Sequence, residues 1–365
     1  MNRAVDHAIE HFWSDHLAAL APYVPGEQPF EAGLLKLNTN ENPYGPSPKA
    51  LAAMQAHIND GLRLYPDPES LALRRVLAQG WNLTPEQVFV GNGSDEVLAH
   101  VFYSFFLRGG RPVLLPSITY NFYQSWCRLY NVPQQQIPLT DDFRIKVQDY
   151  LDAAAQTAPA AIIFANPNAP TGIALAQDDI ARLANALPDT LIVVDEAYVG
   201  FGTDSCAALL AQHDNLLLTH TFSKTRALAG LRIGYVLAHP NLIRALGRTK
   251  NSFNAYPLDT LAQVGAIAAF EDREHFDHTR KLIIQSREYL RGELQTLGFE
   301  VLPSQTNFLF ARHPAHAGAD LAQRLRQHKI LVRRFAQPRI EDFLRITIGT
   351  QAQCEYLVQT LRGLA

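Results

Sequence analysis

Cysteine is scarce in this chain: three residues, Cys127, Cys206 and Cys354, odd in number and far apart. They build no disulfide framework and no zinc-ligand spacing, so a reducing compartment is expected. No stretch approaches the run of roughly 20 apolar residues that a membrane span requires. The N-terminal stretch carries Arg3, Asp6, Glu10 and Asp15 and lacks the apolar core of a signal peptide. A cytoplasmic chain with no membrane partner is therefore expected. Charge of one sign is also lacking: the net charge is −3, which argues against a nucleic-acid partner held by bulk electrostatics. Lysine is rare, seven against 25 arginines, and the arginine excess suits carboxylate and phosphate recognition. Internal repeats and low-complexity segments are absent. What is present is ordinary for a globular enzyme: 365 residues, 47% hydrophobic and 18% charged, enough for two domains and a core that supports a buried site.

Ile9, Phe12, Trp13, Leu17 and Leu20 recur at helical spacing, so residues 3–20 read as an amphipathic helix. His7 and His11 lie one turn apart, but no carboxylate pattern completes a metal site. Pro22, Pro25, Gly26 and Pro29 then break the chain into an extended arm. Residues 37–48 are too rich in Asn and Pro for a regular element and read as Asx turns. A helical pattern follows from Ser70 to Gln79.

From residue 88 to 237, short apolar runs alternate with helical patterns, which predicts a mostly parallel sheet flanked by helices. Val88–Val90 runs into Gly91-Asn92-Gly93-Ser94-Asp95-Glu96 and then a helix from Val97 to Leu107. Free N–H groups at a helix start favour an anion. Glu96 stands where a dinucleotide fingerprint has its third glycine, so a cradle for one phosphate fits better than a nicotinamide cofactor. The run Leu191–Val194 ends in Asp195, at the strand edge where open α/β sheets bind ligands. A buried Asp there needs a cationic partner, or else caps the next helix. The run Leu216–Leu218 leads to Lys224 and a Gly-rich turn. A desolvated lysine has a lowered pKa and can act as a nucleophilic amine, as imine chemistry requires; a snorkelling surface lysine is the alternative.

After residue 240 the pattern is helical over Asn241–Lys250 and in a long run from Leu258 to Leu297. The strand-like runs Thr306–Phe310, Ile330–Arg333 and Phe343–Ile348 follow, with a helix over Ala319–His328. They predict a small α+β domain. Arg345 lies inside one of these apolar runs and Arg333 ends another. A guanidinium so placed pairs either with an internal carboxylate or with a bound anion.

Thr221-Phe222-Ser223-Lys224 and Ala229-Gly230-Leu231-Arg232-Ile233-Gly234 resemble the lysine site of the pyridoxal-phosphate aminotransferases of fold type I. Thr225 departs from the small residue usual there. Leu37-Asn38-Thr39-Asn40-Glu41-Asn42-Pro43-Tyr44-Gly45-Pro46 resembles the N-terminal signature of histidinol-phosphate aminotransferases. The resemblance runs from about residue 34 to 350. It implies an α/β fold of three parts: an N-terminal helix and arm (1–33), a large cofactor domain (34–245), and a small C-terminal α+β domain (246–365) that takes in part of the N-terminal segment.

The resemblance also implies site roles. Lys224 would hold pyridoxal phosphate, Asp195 the ring nitrogen, and Tyr198 the O3′ oxygen, while Tyr120 would stack on the ring. Gly93, Ser94, Asp95, Ser223 and Arg232 would surround the phosphate. Tyr65 would reach into a neighbouring subunit, which implies a homodimer. Asn42, Tyr44, Arg333 and Arg345 would bind substrate, a phosphorylated amine in one half-reaction and a 2-oxo acid in the other. The family has Asn at the position of Ala169 for O3′, so either Asn168 shifts to serve or Tyr198 acts alone. The implied reaction is transamination of histidinol phosphate with 2-oxoglutarate in histidine biosynthesis. On the same scaffold, an aromatic-amino-acid aminotransferase and a phospho-amino-acid decarboxylase are the alternatives. A nicotinamide-dependent oxidoreductase and a non-catalytic binding module are more distant ones.

Overall fold

The computed structural model describes residues 12–18, 20–23, 26–29 and 31–364. Of the amphipathic helix expected over residues 3–20, the described part is helical only over α1 (Asp15–Ala18), and Phe12, Trp13 and Leu17 are exposed. His7 and His11 lie outside the described residues. Strand β1 (Leu35–Leu37) precedes α2 (Pro48–Ala56) and α3 (Leu71–Trp81). The alternating part comprises β2 (Val88–Gly91), α4 (Gly93–Val101), β3 (Val113–Pro116), α5 (Phe122–Leu129), β4 (Gln134–Ile137) and α6 (Val147–Thr157). It continues through β5 (Ala161–Ala165), α7 (Gln177–Ala186), β6 (Leu191–Asp195), β7 (Leu216–Thr221) and β8 (Gly234–Ala238).

These strands form a seven-stranded sheet in the order β2-β8-β7-β6-β5-β3-β4. Only β8 runs against its neighbours, so the expected mostly parallel sheet is present. Its central strands are apolar throughout because both faces are covered. Ile162, Phe164, Ile192, Val194, Leu216 and Leu218 point into one core, whereas Ala161, Ile163, Leu191, Val193 and Leu217 point into the other. That alternation is the period of two of an extended chain, expressed between two helical layers.

Helices α8 (Pro240–Phe253), α9 (Thr260–Glu271) and α10 (Arg273–Thr296) follow, then β9 (Glu300–Val301), β10 (Phe308–Arg312), α11 (Gly318–Gln327), β11 (Ile330–Arg334), β12 (Leu344–Thr347) and α12 (Gln351–Leu364). The second sheet has the order β1-β11-β12-β10-β9, antiparallel except where β1 pairs in parallel with β11.

One expectation needs correction. The helical run expected from Leu258 to Leu297 breaks at Asp272, which joins α9 to α10. The two helices that meet there pack into different cores. Leu258, Ala262, Ala266, Ala269 and Phe270 belong to the core of the large sheet, while Ile283, Leu290 and Leu294 of α10 belong to the core of the small one. Small residues bring α9 close to α2: a Cβ on Gly265 would lie 3.0 Å from the Met54 side chain. At the other end, β1 places residues 35–37 in the small sheet, not in the large domain. No helix among the described residues is long and apolar enough to cross a membrane.

Candidate active site

Three parallel strands end on one cavity. Ala165 of β5, Asp195 of β6 and Thr221 of β7 line a space of about 420 Å³, at the strand ends where ligands of α/β sheets lie. Ser223, Lys224, Tyr198 and Tyr120 complete the floor, and Ser94, Asp95 and Arg232 one end. Arg333 and Arg345 from the small sheet form the opposite wall.

Lys224 lines the cavity half-buried, and its Nζ donates to the carbonyl of Thr39 at 3.0 Å. Desolvation, with Arg345 adding to it, lowers its pKa to about 8. At pH 7 that leaves about a tenth of the amine neutral, against roughly one part in several thousand for an ordinary lysine. The rate at which cyanate labels Lys224 in the protein without added cofactor should therefore rise with pH and level off above about 8. A rate still climbing beyond pH 10 would refute the lowered value.

Asp195 is buried, accepts from the Tyr123 hydroxyl at 2.7 Å and from the Ala197 N–H at 3.2 Å, and has no cationic partner among the described residues. Burial therefore holds its pKa up at about 6. A cation placed against it would bring that value back down. Tyr198 accepts from the Asn40 side chain at 2.8 Å, which leaves its own proton to donate elsewhere. The Tyr120 hydroxyl donates to Asp95 at 3.1 Å, and burial, reinforced by Asp95, keeps it protonated.

The phosphate-cradle geometry is local. Gly93 has φ +85°, and a Cβ there would lie 2.5 Å from Arg232 Nη2, so only glycine lets the guanidinium close over the helix start. Arg232 donates to Asp95 at 2.9 Å. The first turn of α4 thus presents backbone N–H groups beside a cation. The helix starts at Gly93, not at Val97 as its apolar pattern indicated, because Asp95 and Glu96 suit a first turn electrostatically.

Residues 32–361 match the family of class I and II aminotransferases. The chain belongs to that family. It is 56% identical to histidinol-phosphate aminotransferase 1 of Bordetella parapertussis, over 98% of this chain and 99% of that protein. It is 54% identical to the protein of the same name from Pseudomonas fluorescens, over 98% of this chain and all of the relative. The crystal structure of histidinol-phosphate aminotransferase from Sinorhizobium meliloti in complex with pyridoxal 5′-phosphate superposes with a TM-score of 0.83. It shares 26% identity, with 91% of this chain and 92% of that one covered.

Within this aminotransferase, most of the expected site residues line the cavity; Gly93 adjoins it through Arg232, and four others lie outside the lining. Asn168 is buried and absent from the cavity lining; its side chain donates to the Ile118 carbonyl and the Thr171 hydroxyl, and accepts from Thr119. Its hydrogen bonds are spent on the turn. Asn42 donates to the backbone carbonyl of Lys224 at 3.1 Å and supports the lysine from outside the cavity. Tyr44 packs against the core of the small sheet. Tyr65 is 83% exposed and stacks on Tyr256 with ring centroids 4.7 Å apart, away from this chain's own cavity.

Residues not singled out by the sequence include Tyr123, Asn40, Tyr23, Gln28 and Phe335. Tyr123 holds Asp195; Asn40 holds Tyr198; the other three line the cavity. A sequence signal existed only for Asn40, in the unusual density of Asn from 38 to 42.

Proposed function

We propose that this aminotransferase carries pyridoxal phosphate on Lys224 and transfers the amino group of histidinol phosphate to 2-oxoglutarate in histidine biosynthesis. The observation that carries the reading is the register of the small sheet, which sets Arg333 directly opposite Arg345 at one cavity wall. Two guanidinium groups set side by side at a cavity suit an anion that both can grip. Arg345 Nε is buried without a hydrogen-bond partner among the described residues, while its Nη2 donates to the Asn38 carbonyl at 2.8 Å. A planar guanidinium with a spare donor suits phosphate or carboxylate oxygens. The two substrates would share this anion grip.

The residues fit the cofactor. The buried Asp195 has a charge to satisfy, the helix start at Gly93 suits one phosphate, and Lys224 offers an amine that is neutral in part near pH 7. When bound, pyridoxal phosphate supplies an electron sink for the carbon that loses its proton. Asp195, oriented by Tyr123, would hold the ring nitrogen positively charged. Tyr198 alone would donate to O3′, steadied by Asn40. Tyr120 would cover the ring face. Ser94, Ser223, Arg232 and the α4 start would bind the phosphate, and Asp95 would orient Arg232 and Tyr120. Lys224, once freed by substrate, would carry the proton from the substrate carbon as general base and return it as general acid. A homodimer belongs to the same proposal, with Tyr65 reaching the site of a second copy. So does a cytoplasmic location, consistent with three buried free thiols.

The test is the visible absorption of the loaded protein before and after each amine is added. Histidinol phosphate should bleach the band within the first turnover, and 2-oxoglutarate should restore it. Bleaching by phenylalanine with none by histidinol phosphate would make the enzyme an aromatic aminotransferase. Carbon dioxide release from threonine phosphate would make it a decarboxylase.

A further inference from the structure

Behind the turn that carries Lys224 lies a second cavity of about 180 Å³, more than ten times the roughly 10–15 Å³ that one water needs. Ala197 and Thr221 line both cavities, but Lys224, Asp195, Arg333 and Arg345 line only the first. It is lined by the junction of α9 and α10, the end of α3, the end of β7, Tyr235 of β8 and residues that follow β6 and β7.

Three guanidinium groups meet there on two phenyl rings. Arg226 lies 3.9 Å from the centroid of Phe276 and 5.0 Å from that of Phe270. Arg273 lies 5.0 Å from Phe270, and Arg280 lies 5.4 Å from Phe276. Each ring is shared by two cations, so like charges are held side by side. Among the described residues only Arg280 of these three forms an ion pair, with Asp277 at 3.1 Å, while Asp277 and Asp272 act on Arg226 from further off. Arg226 donates to the Ala269 carbonyl at 3.0 Å, and neither it nor Arg273 forms an ion pair among the described residues.

The two carboxyl groups in the lining do not answer these cations. Glu196 accepts from the Cys206 N–H at 2.7 Å and from the Ser205 hydroxyl, and burial raises its pKa to about 7. Asp204 is exposed. A second, independent feature is His220, buried between Trp81 and Tyr235 at centroid distances of 5.0 and 4.7 Å. Its Nε2 lies 3.1 Å from Glu196 Oε2, at an angle that makes no hydrogen bond, and is otherwise without a partner among the described residues. Burial keeps the ring neutral at ordinary pH, and the ring lines the cavity beside Glu196.

We propose that this cavity is a second anion site, which takes a phosphate-sized oxyanion through Arg226, Arg273 and Arg280 over the Phe270 and Phe276 rings. The ligand is inorganic phosphate or the phosphate end of a small phosphomonoester. Bound there, it would brace from behind the turn that holds Lys224. The site stands whichever substrate enters the first cavity.

The test is calorimetric titration of inorganic phosphate into the cofactor-loaded Arg345→Gln enzyme, whose own substrate-anion grip is reduced to Arg333. One saturable site should remain, and adding Arg226→Gln should weaken it tenfold or more. Arg273 is exposed at the first turn of α10, so Arg273→Gln tests the same site without touching the core. It should weaken phosphate in the same direction. Glycerol phosphate separates the sources: saturable heat admits phosphomonoesters, and its absence restricts the site to free phosphate. Absence of a saturable phosphate site in the Arg345→Gln enzyme, or binding that survives both further substitutions unchanged, overturns the proposal.

Discussion

Lys224→Ala should lower turnover by at least roughly 10⁴-fold, because one side chain is proposed as both the attachment point and the proton carrier. The visible band of the covalently bound cofactor should vanish with it. Lys224→Arg separates chemistry from charge. Arginine keeps the cation but does not deprotonate, so this variant should be as inactive as the alanine one. The amine is one of the few ionisable groups here whose lowered pKa comes with a cavity to work in: desolvation brings it to about 8, beside the Thr39 carbonyl. Turnover by either variant within tenfold of the parent would end the assignment.

Arg345→Gln should lower kcat/KM by roughly 10²–10³-fold for histidinol phosphate and for 2-oxoglutarate alike. The loss should fall mainly in KM, since the group is proposed to grip an anion that does not change during proton transfer. Arg345 lies over Phe308 and Phe335, each 5.5 Å from its guanidinium carbon, so its position is fixed before substrate arrives. Arg345→Lys should recover little, because the fork and not the charge alone matches two oxygens. Steady-state kinetics with each substrate varied in turn will decide. A rise in KM for one substrate only would break the proposed sharing of one grip.

Much of the site could be read from the chain because its parts sit where local patterns end. Asp195 terminates an apolar run and Lys224 follows another, and both strands are central and buried on two faces. Such runs need no tertiary information to recognise. Arg345 stood out for the converse reason, as a cation within an apolar strand. The supporting residues gave no such signal. Tyr123 reads as any aromatic on a helix, and its bond to Asp195 spans 72 residues. Asn40 meets Tyr198 across 158 residues. Asn168 entered only through the resemblance, and its side chain closes its own turn while Ala169 lines the cavity. The core that α9 joins was equally illegible. The small apolar residues of α9 are compatible with either core, and only its packing on α2 and α3 assigns it to the large one.

The parallel pairing of β1 with β11 joins Leu35 to Ile330. On the ribosome, the earliest strand of the small sheet must therefore wait, unpaired, while the whole large sheet is synthesised and collapses. Closing so long a loop adds entropy cost only slowly with length, but it ties completion of the smaller sheet to the arrival of the last part of the chain. Arg333 and Arg345 sit on those late strands, so the nascent enzyme acquires its lysine wall before it acquires the proposed anion grip.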